Sequence, residues 1–449
     1  MISCYASIRL RPVFSRRDYE RGRNNAMKTI RKELSPGVFL TYIHATKFKG
    51  GLLSAQLLTP LSAEYAAPGA LLPAVLRRGT ERCRDMRALS RALDLLYGAG
   101  LSYTVRKKGE NQCSGFLMSF IDDAFAPGGE KLLEPCADLL GEVLLRPVTE
   151  EGVFLPAYVD GEKDNLIDAI RSIIDDKRDY ADKRLIEEMC RGERYGIPRL
   201  GTEEAVAALD SKALHAFYER ILTTARVELY YCGSAEEARV EEALRHGLRG
   251  LPHGERIAPV PSPRLAAPGQ PRYLDERMDV TQGKLSMGLR TDTKDEHAML
   301  LANLIFGGYS NSKLFLNVRE KLSLCYYASS GYHRSKGLVT VSSGIEFGDY
   351  QRAHDEILSQ LSSVSLGDFE PWELEGAKGV LINALRSRED SATRMEENAL
   401  GQAATGIRET EEELIESLSA VTPERIAAAA GTLKLDTVYF LRGEDVENA

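Results

Sequence analysis

Leu251–Tyr273 reads LPHGERIAPVPSPRLAAPGQPRY, with prolines at 252, 259, 261, 263, 268 and 271. Proline fixes φ and removes a backbone donor, so neither a helix nor a central strand continues through such a run. The stretch reads as a semi-rigid extended linker. With 449 residues the chain is too long for a single core. The linker divides it into parts of comparable size, 28–250 and 274–449.

The two parts repeat one order of elements. Before the linker, GVFLTYIHAT and LLSAQLLTPL read as strands, rich in β-branched, aromatic or alternating apolar residues. A helical stretch around GALLPAVLRR follows. In DMRALSRALDLLYGAG, Met86, Leu89, Leu93 and Leu96 form one helical stripe that ends at glycine. LSYTVRKKG and CSGFLMSFI read as a strand pair, and helices follow over LLEPCADLLGEVLL and 160–222. After the linker, GKLSMGLRT alternates Leu285, Met287 and Leu289 as a strand. DEHAMLLANLIFGG and SKLFLNVREKLS are helical, and YYASSGYH with GLVTVSSGI makes a hairpin. YQRAHDEILSQLSSV and 371–430 close the second part as helices. Strands followed by helices predict an α+β fold: two α/β sandwich domains, each a sheet with helices on one face, joined by the linker.

Composition excludes several classes. The net charge of −8 argues against nucleic acid as a ligand. No apolar run reaches the ~18 residues of a membrane span, so no membrane partner is expected. The seven cysteines (4, 83, 113, 136, 190, 232, 325) are scattered and never form Cys-x-x-Cys, which fits reduced thiols in a cytoplasmic protein. The seven histidines (44, 215, 246, 253, 297, 333, 354) occur singly, and no Gly-x-Ser-x-Gly elbow or phosphate-binding glycine loop is present. No cofactor is called for. Residues 1–27 carry six arginines against two acids and lack a secretory apolar region. They read as an unstructured extension, from a start upstream of Met27, or as an organelle leader.

One apolar run lacks the chemistry its shape suggests. APGALLPAVLRRGT, Ala67–Thr80, ends on Gly-Thr after a basic pair, yet no side chain in it can hold a metal, take a proton or attack a carbonyl.

IFGGYSNSKLFLNVREKLSLCYYASSGY, Ile305–Tyr332, resembles the C-terminal-domain signature of the pitrilysin-type, processing-peptidase-like (M16-type) metallopeptidases. There a Gly-rich turn leads into Ser-x-Leu-Phe and then Arg-Glu-Lys-x-x-Leu-x-Tyr. The resemblance covers residues 28–445 and implies the duplicated layout. Active members carry His-x-x-Glu-His on a first-half helix, a few residues before Gly-Thr. Histidines at i and i+4 share a face and bind Zn²⁺, and the glutamate takes a proton from the metal-bound water. Aligned on Gly79-Thr80, this chain places Ala70 and Ala74 at the histidines and Pro73 at the base. The distal ligand would fall at Asp168 or Ala169. The resemblance therefore implies a zinc-less, inactive branch with no metal site and no catalytic residue.

The family's substrate-gripping arginine and tyrosine match Arg319 and Tyr326. Arg319 offers a fixed fork of donors, and the Tyr326 hydroxyl can donate to a peptide carbonyl. The other reading pairs Arg319 with Glu320 on a solvated face and puts Tyr326 in a hairpin core. Gly307 and Gly308 would admit close approach of a peptide, or else cap a helix. Where active relatives pair substrate with an edge strand, Leu101, Ser102, Tyr103 and Thr104 stand here. SIIDDKRDYADKRLIEEMCRGERYGIPRLG, Ser172–Gly201, resembles a bacterial zinc-less branch of the family associated with 5-aminopentanol modification of elongation factor P. Its charged run Asp175–Lys183 also reads as a solvated helix face. The resemblance implies a non-catalytic subunit that pairs with a zinc-bearing homologue and contacts a peptide or protein, elongation factor P among the candidates. The alternative is a structural or assembly protein of the same fold without peptide turnover.

Overall fold

The computed structural model describes residues 28–443; the basic segment 1–27 lies outside the described residues. Before the linker come β1 (Lys28–Ser35), β2 (Val38–His44), β3 (Gly50–Pro60), α1 (Ala63–Leu76), α2 (Met86–Leu95), β4 (Gly100–Lys108) and β5 (Asn111–Ile121). There follow α3 (Leu133–Leu145), the short pair β6 (Thr149–Glu150) and β7 (Val153–Phe154), α4 (Pro156–Arg171), α5 (Lys177–Met189), α6 (Glu203–Ala207), α7 (Ser211–Thr224), β8 (Arg226–Gly233) and α8 (Glu237–Gly247). After it come β9 (Arg272–Arg277), β10 (Gly283–Arg290), α9 (Glu296–Asn303), β11 (Tyr327–His333) and β12 (Leu338–Ile345). The last elements are α10 (Tyr350–Ser365), α11 (Pro371–Arg388), α12 (Ala392–Thr405), α13 (Glu411–Ser419), α14 (Pro423–Gly431) and β13 (Lys434–Arg442).

Strand order carries the duplication. The first sheet runs β1-β2-β8-β3-β5-β4 and the second β11-β12-β10-β13-β9. Read from β4 or from β11, each sheet makes three antiparallel joins and then a parallel one, β8 with β2 or β13 with β9. Strand β1 is an addition at the far edge of the first sheet. The fold is α+β, two sheets with packed helices.

Each sheet buries one face against its own helices, giving cores around Leu53, Phe116 and Leu229 and around Met287, Phe306 and Val341. The opposite face receives one helix from the other half. Met395, Leu400 and Ala404 of α12 cover Ile43, Leu52, Leu58 and Tyr230 of the first sheet. Ala181 and Leu185 of α5 cover Tyr439 and Leu441 of the second. Each large side chain buried in this exchange contributes roughly 1.5–3 kcal/mol. The halves are locked together, and the linker is a strap rather than a free spacer. It has neither helix nor strand from 251 to 271. Arg256 donates to the carbonyls of Ala225 and Pro252, Asn111 bonds Val260 at both its carbonyl and its amide, and Arg264 donates to the carbonyl of Thr293. β9 begins at Arg272, so the last two residues of the proline-rich run are strand.

Two local expectations need correction. In α2 only Leu89 of the stripe is fully buried; Met86 is exposed, and Leu93 and Leu96 are partly buried. The helix lies over the core's rim, so its apolar face is only half used. The segments read as α-helices after β10 widen into π-helical turns at Leu304–Gly308 and Leu314–Lys321, a feature frequent at functional sites.

Candidate functional site

Helix α1 starts at a Ser62 cap, whose hydroxyl accepts from the Tyr65 amide, and runs through Pro68 and Pro73 without a break. A proline in a helix interior costs about 3 kcal/mol; here every residue from Ala66 to Leu76 is buried, and that burial holds the helix. Gln112 donates to the Ala66 carbonyl at 2.9 Å and to the Arg199 carbonyl at 2.6 Å. A Cβ at Gly69 would lie 2.1 Å from the Gln112 Oε1, so the amide sits where only glycine fits. Gly201, at φ +75°, brings the next segment onto Ala67, 2.7 Å from where its own Cβ would be. Ala70, Pro73 and Ala74 are buried, Ala70 at 3% and Ala74 at 7% exposure. Asp168 and Ala169 on α4 are exposed. The nearby buried carboxylate Glu162 is taken by Arg78 at 3.0 Å. Two alanines and a proline do not fit a zinc ion. No group of three or more His, Cys, Asp or Glu among the described residues is arranged to hold a metal. The six described cysteines are all free and buried.

In the second half, Arg319 lies in the π-helical segment, with its guanidinium 4.7 Å from the Phe315 ring centroid and 3.2 Å from Glu320. Pairing with Glu320 on a partly solvated face is therefore its resting state. Tyr326 is 60% exposed, which corrects the reading that made it hairpin core. It directly precedes β11, and its hydroxyl donates to Glu346 at 2.7 Å. That bond to a carboxylate raises the phenol pKa, keeping the hydroxyl protonated as a donor. Gly307 and Gly308 do not cap a helix in the left-handed region; Tyr309 follows in extended conformation at φ −151°. A Cβ on Gly307 would meet Leu314 Cδ1 at 2.6 Å and the Ser330 amide nitrogen at 2.9 Å. The close approach that glycine permits here is to β11 of the same chain.

The Ser172–Gly201 run clamps the halves together. The outer part of its charged stretch, Asp175, Asp176, Arg178 and Asp179, is solvated. Beyond it, Tyr180 donates to Glu276 at 2.6 Å, and Asp182 accepts from Ser286 at 2.7 Å. Glu193 pairs with Arg290 and with Lys336, itself fully buried and also bonded to Glu110. Arg199 Nε donates to the Val105 carbonyl at 3.1 Å, and Lys107 Nζ to the Tyr195 carbonyl at 2.8 Å. The outer edge of β4 is thus covered at Val105. Because outward-facing backbone groups alternate along an antiparallel strand, those of Leu101 and Tyr103 share that edge farther up the strand.

Sequence reasoning did not find the cluster Lys107–Tyr195–His333 at this clamp. The Tyr195 hydroxyl lies 3.0 Å from His333 Nδ1. Burial pushes His333 down to about 4 and Lys107 down to about 8. Only Tyr195, inside the quoted Ser172–Gly201 run, carried a signal; Lys107 and His333 read as ordinary strand residues.

The family model described as the peptidase M16 inactive domain matches residues 208–381. A Bacillus subtilis protein named as a probable inactive metalloprotease, YmfF, is 32% identical over 413 residues, 91% of this chain and 96% of its own length. A second protein of the same organism, the uncharacterized zinc protease YmxG, is 25% identical over 61% of this chain and 67% of its own. The crystal structure of a conserved protein from Enterococcus faecalis superposes with a TM-score of 0.86 at 29% identity, covering 94% of this chain and all of that one. No helix among the described residues is long and apolar enough to cross a membrane.

Proposed function

The chain belongs to the peptidase M16 family, and from that premise we propose that it is a catalytically silent subunit, closing against a zinc-bearing M16-like homologue and lending substrate contacts to that partner's site. The observation that carries this reading is a contrast between the halves. At α1 the positions of two ligands and a base are Ala70, Ala74 and Pro73, buried and without a donor. In the second half, Arg319 and Tyr326 remain at the surface with their polar ends reachable. That one organism holds relatives named as an inactive metalloprotease and as a zinc protease accords with such a division of labour.

On this reading Arg319 exchanges Glu320 for a substrate carbonyl or carboxylate, and Tyr326 turns its hydroxyl from Glu346 to a peptide carbonyl. The free edge of β4 at Leu101 and Tyr103 offers backbone pairing to an extended peptide, which needs no particular side chain. Gly307 and Gly308 act through the packing of the π-helical turn on β11. The Ser172–Gly201 resemblance supports placing the pair in maturation of elongation factor P.

The test mixes this chain with a zinc-bearing homologue from the same genome and follows cleavage of a peptide library and of elongation factor P. The lone chain is expected to cleave nothing; the mixture cleaves, and Arg319→Ala lowers its kcat/KM about tenfold or more, the loss of one charge-assisted hydrogen bond. Full activity with Arg319→Ala refutes the shared site. One observation favours a second reading, an assembly role without turnover: Arg319 and Tyr326 are each already satisfied by an acid of this chain. That reading predicts a stable complex indifferent to the loss of both residues.

A further inference from the structure

A cavity of about 640 Å³ opens between the halves where the edge strands β4 and β11 approach each other. Most of its wall comes from the run between Ile170 and Glu204. Its lining combines the aliphatic side chains of Ile170, Ile173, Ile174, Ile186 and Leu200 with the cations Lys107 and Arg199.

The charges around the rim are not evenly matched. Arg171 is paired with Glu203, Lys183 with Asp179, and Arg184 with Glu187, Glu188 and Glu276. Lys107 and Arg199 have only backbone carbonyls as hydrogen-bond partners among the described residues, those of Tyr195 and Val105. Glu204 and Asp182 also line the cavity without an ion pair among the described residues: Glu204 is exposed to solvent, and Asp182 accepts from Ser286 and is held above the usual carboxylate range by burial. Two half-buried cations with no ion pair among the described residues are costly to keep, even with Lys107 lying 4.6 Å over the Tyr195 ring. Burial is the main cause that holds Lys107 near 8; Cys190 and Glu187 oppose it, and repulsion from Arg199 adds to it. An anion between Lys107 and Arg199 would relieve both the burial and the repulsion.

We propose that this cavity binds a small organic monocarboxylate with an aliphatic body, its carboxylate between Lys107 and Arg199 and its chain along Ile170, Ile173, Ile174 and Ile186. Cations and isoleucines lining one cavity suit an amphipathic ligand, and the volume is that of an ordinary small-molecule site. The same chemistry belongs to a medium-chain fatty acid and to the C-terminus of an apolar peptide. The site concerns the lone chain and stands apart from the partner-subunit reading.

Calorimetry on the full-length chain alone tests it, with octanoate and N-acetyl-leucyl-leucine as probes and their neutral amides as controls. Whichever probe binds tighter identifies the source. The carboxylate is expected to bind at least tenfold tighter than its amide. Arg199→Gln and Lys107→Met should each remove that advantage. Ile174→Glu should abolish binding, and because Ile174 is already 37% exposed the fold tolerates the change. Affinity should fall from pH 7 to pH 9 as Lys107 loses its proton; Arg199, Glu187, Cys190, Tyr195 and His333 are the titratable or charged groups around it. Failure of both carboxylates to bind at millimolar concentration overturns the assignment. So does equal binding of acid and amide, or an affinity untouched by Arg199→Gln and Ile174→Glu.

Discussion

Helix α12 is fastened to the first sheet by an ion pair that can be taken apart one partner at a time. Glu396, 1% exposed, receives two bonds from Arg106 at 2.7 and 2.9 Å and one from the Ser54 hydroxyl at 2.8 Å. Arg106 also donates to Glu397 at 2.6 Å. Burial disfavours the Arg106 charge, but the two glutamates outweigh it and hold its pKa above the ordinary arginine value. Arg106→Met leaves Glu396 buried with one hydroxyl for company and should cost about 3–5 kcal/mol. Glu396→Leu leaves Arg106 with Glu397 and should cost less, about 2–3 kcal/mol. The double variant removes both buried charges and should fall within about 1 kcal/mol of the parent, a coupling of at least about 4 kcal/mol. Equilibrium urea unfolding followed by circular dichroism measures all four corners, and hydrogen exchange reports whether β4 and α12 loosen together in Arg106→Met. If the double variant loses the sum of the two singles, the pair does not couple the halves and the fastening described here is wrong.

Other outcomes follow from the same geometry. His333 is held neutral in the fold down to about pH 4, while the unfolded chain takes up that proton near 6.5. Its stabilising contribution is therefore complete above 6.5 and is lost as pH falls toward 4. Relative to His333→Gln, the parent should lose about 2 kcal/mol between pH 6.5 and 5, read from urea midpoints; parallel profiles would show the imidazole to be accessible. A Cβ at Gly141 would sit 2.0 Å from the Gly247 carbonyl oxygen, where α3 crosses α8 backbone to backbone. Gly141→Ala should cost about 1–3 kcal/mol, and a melting temperature unchanged from the parent would mean that the two helices do not touch there.

The proline-rich run, the alternating apolar strands and the repeated order of elements were legible because each is a local pattern with a short period. The resemblance could name Ala70, Pro73 and Ala74 as the places of missing ligands and base because a motif with fixed spacing says where they would stand. The exchange of α5 and α12 was not. Ala181, Leu185 and Met189 give α5 the pattern of any amphipathic helix, and nothing in that pattern says which sheet it covers. The buried pairs Arg106–Glu396 and Lys336–Glu193 were hidden for the same reason: they join residues 290 and 143 positions apart, the first between a strand and a helix and the second between two loop residues, and no local pattern links them. The exposure of Tyr326 stayed open between two readings because alternation cannot fix the end of a strand, and Tyr326 falls one residue before β11.

Duplication gives the exposed residues a further meaning. The turn entering β4 holds Tyr97 at φ 56° and exposes Leu95 and Tyr97; the turn entering β11, its counterpart in the second sheet, holds Ser323 at φ 52° and exposes Leu322 and Tyr326. Left-handed backbone at a non-glycine residue costs about 1–3 kcal/mol and persists where the surroundings demand it. Large apolar side chains left in solvent at the same place in both halves are unlike scattered surface hydrophobics. Helix α1, by contrast, keeps no open face from Ala66 to Leu76. On the proposed reading the chain has closed the wall where chemistry would occur and kept the two edge turns that a partner or an extended peptide would meet. Replacing Leu95 and Leu322 together with serine should then weaken association with a zinc-bearing homologue while leaving the melting temperature of the lone chain within a few degrees. Gel filtration of the mixture decides it: undiminished co-elution of the double variant would assign those turns no part in assembly.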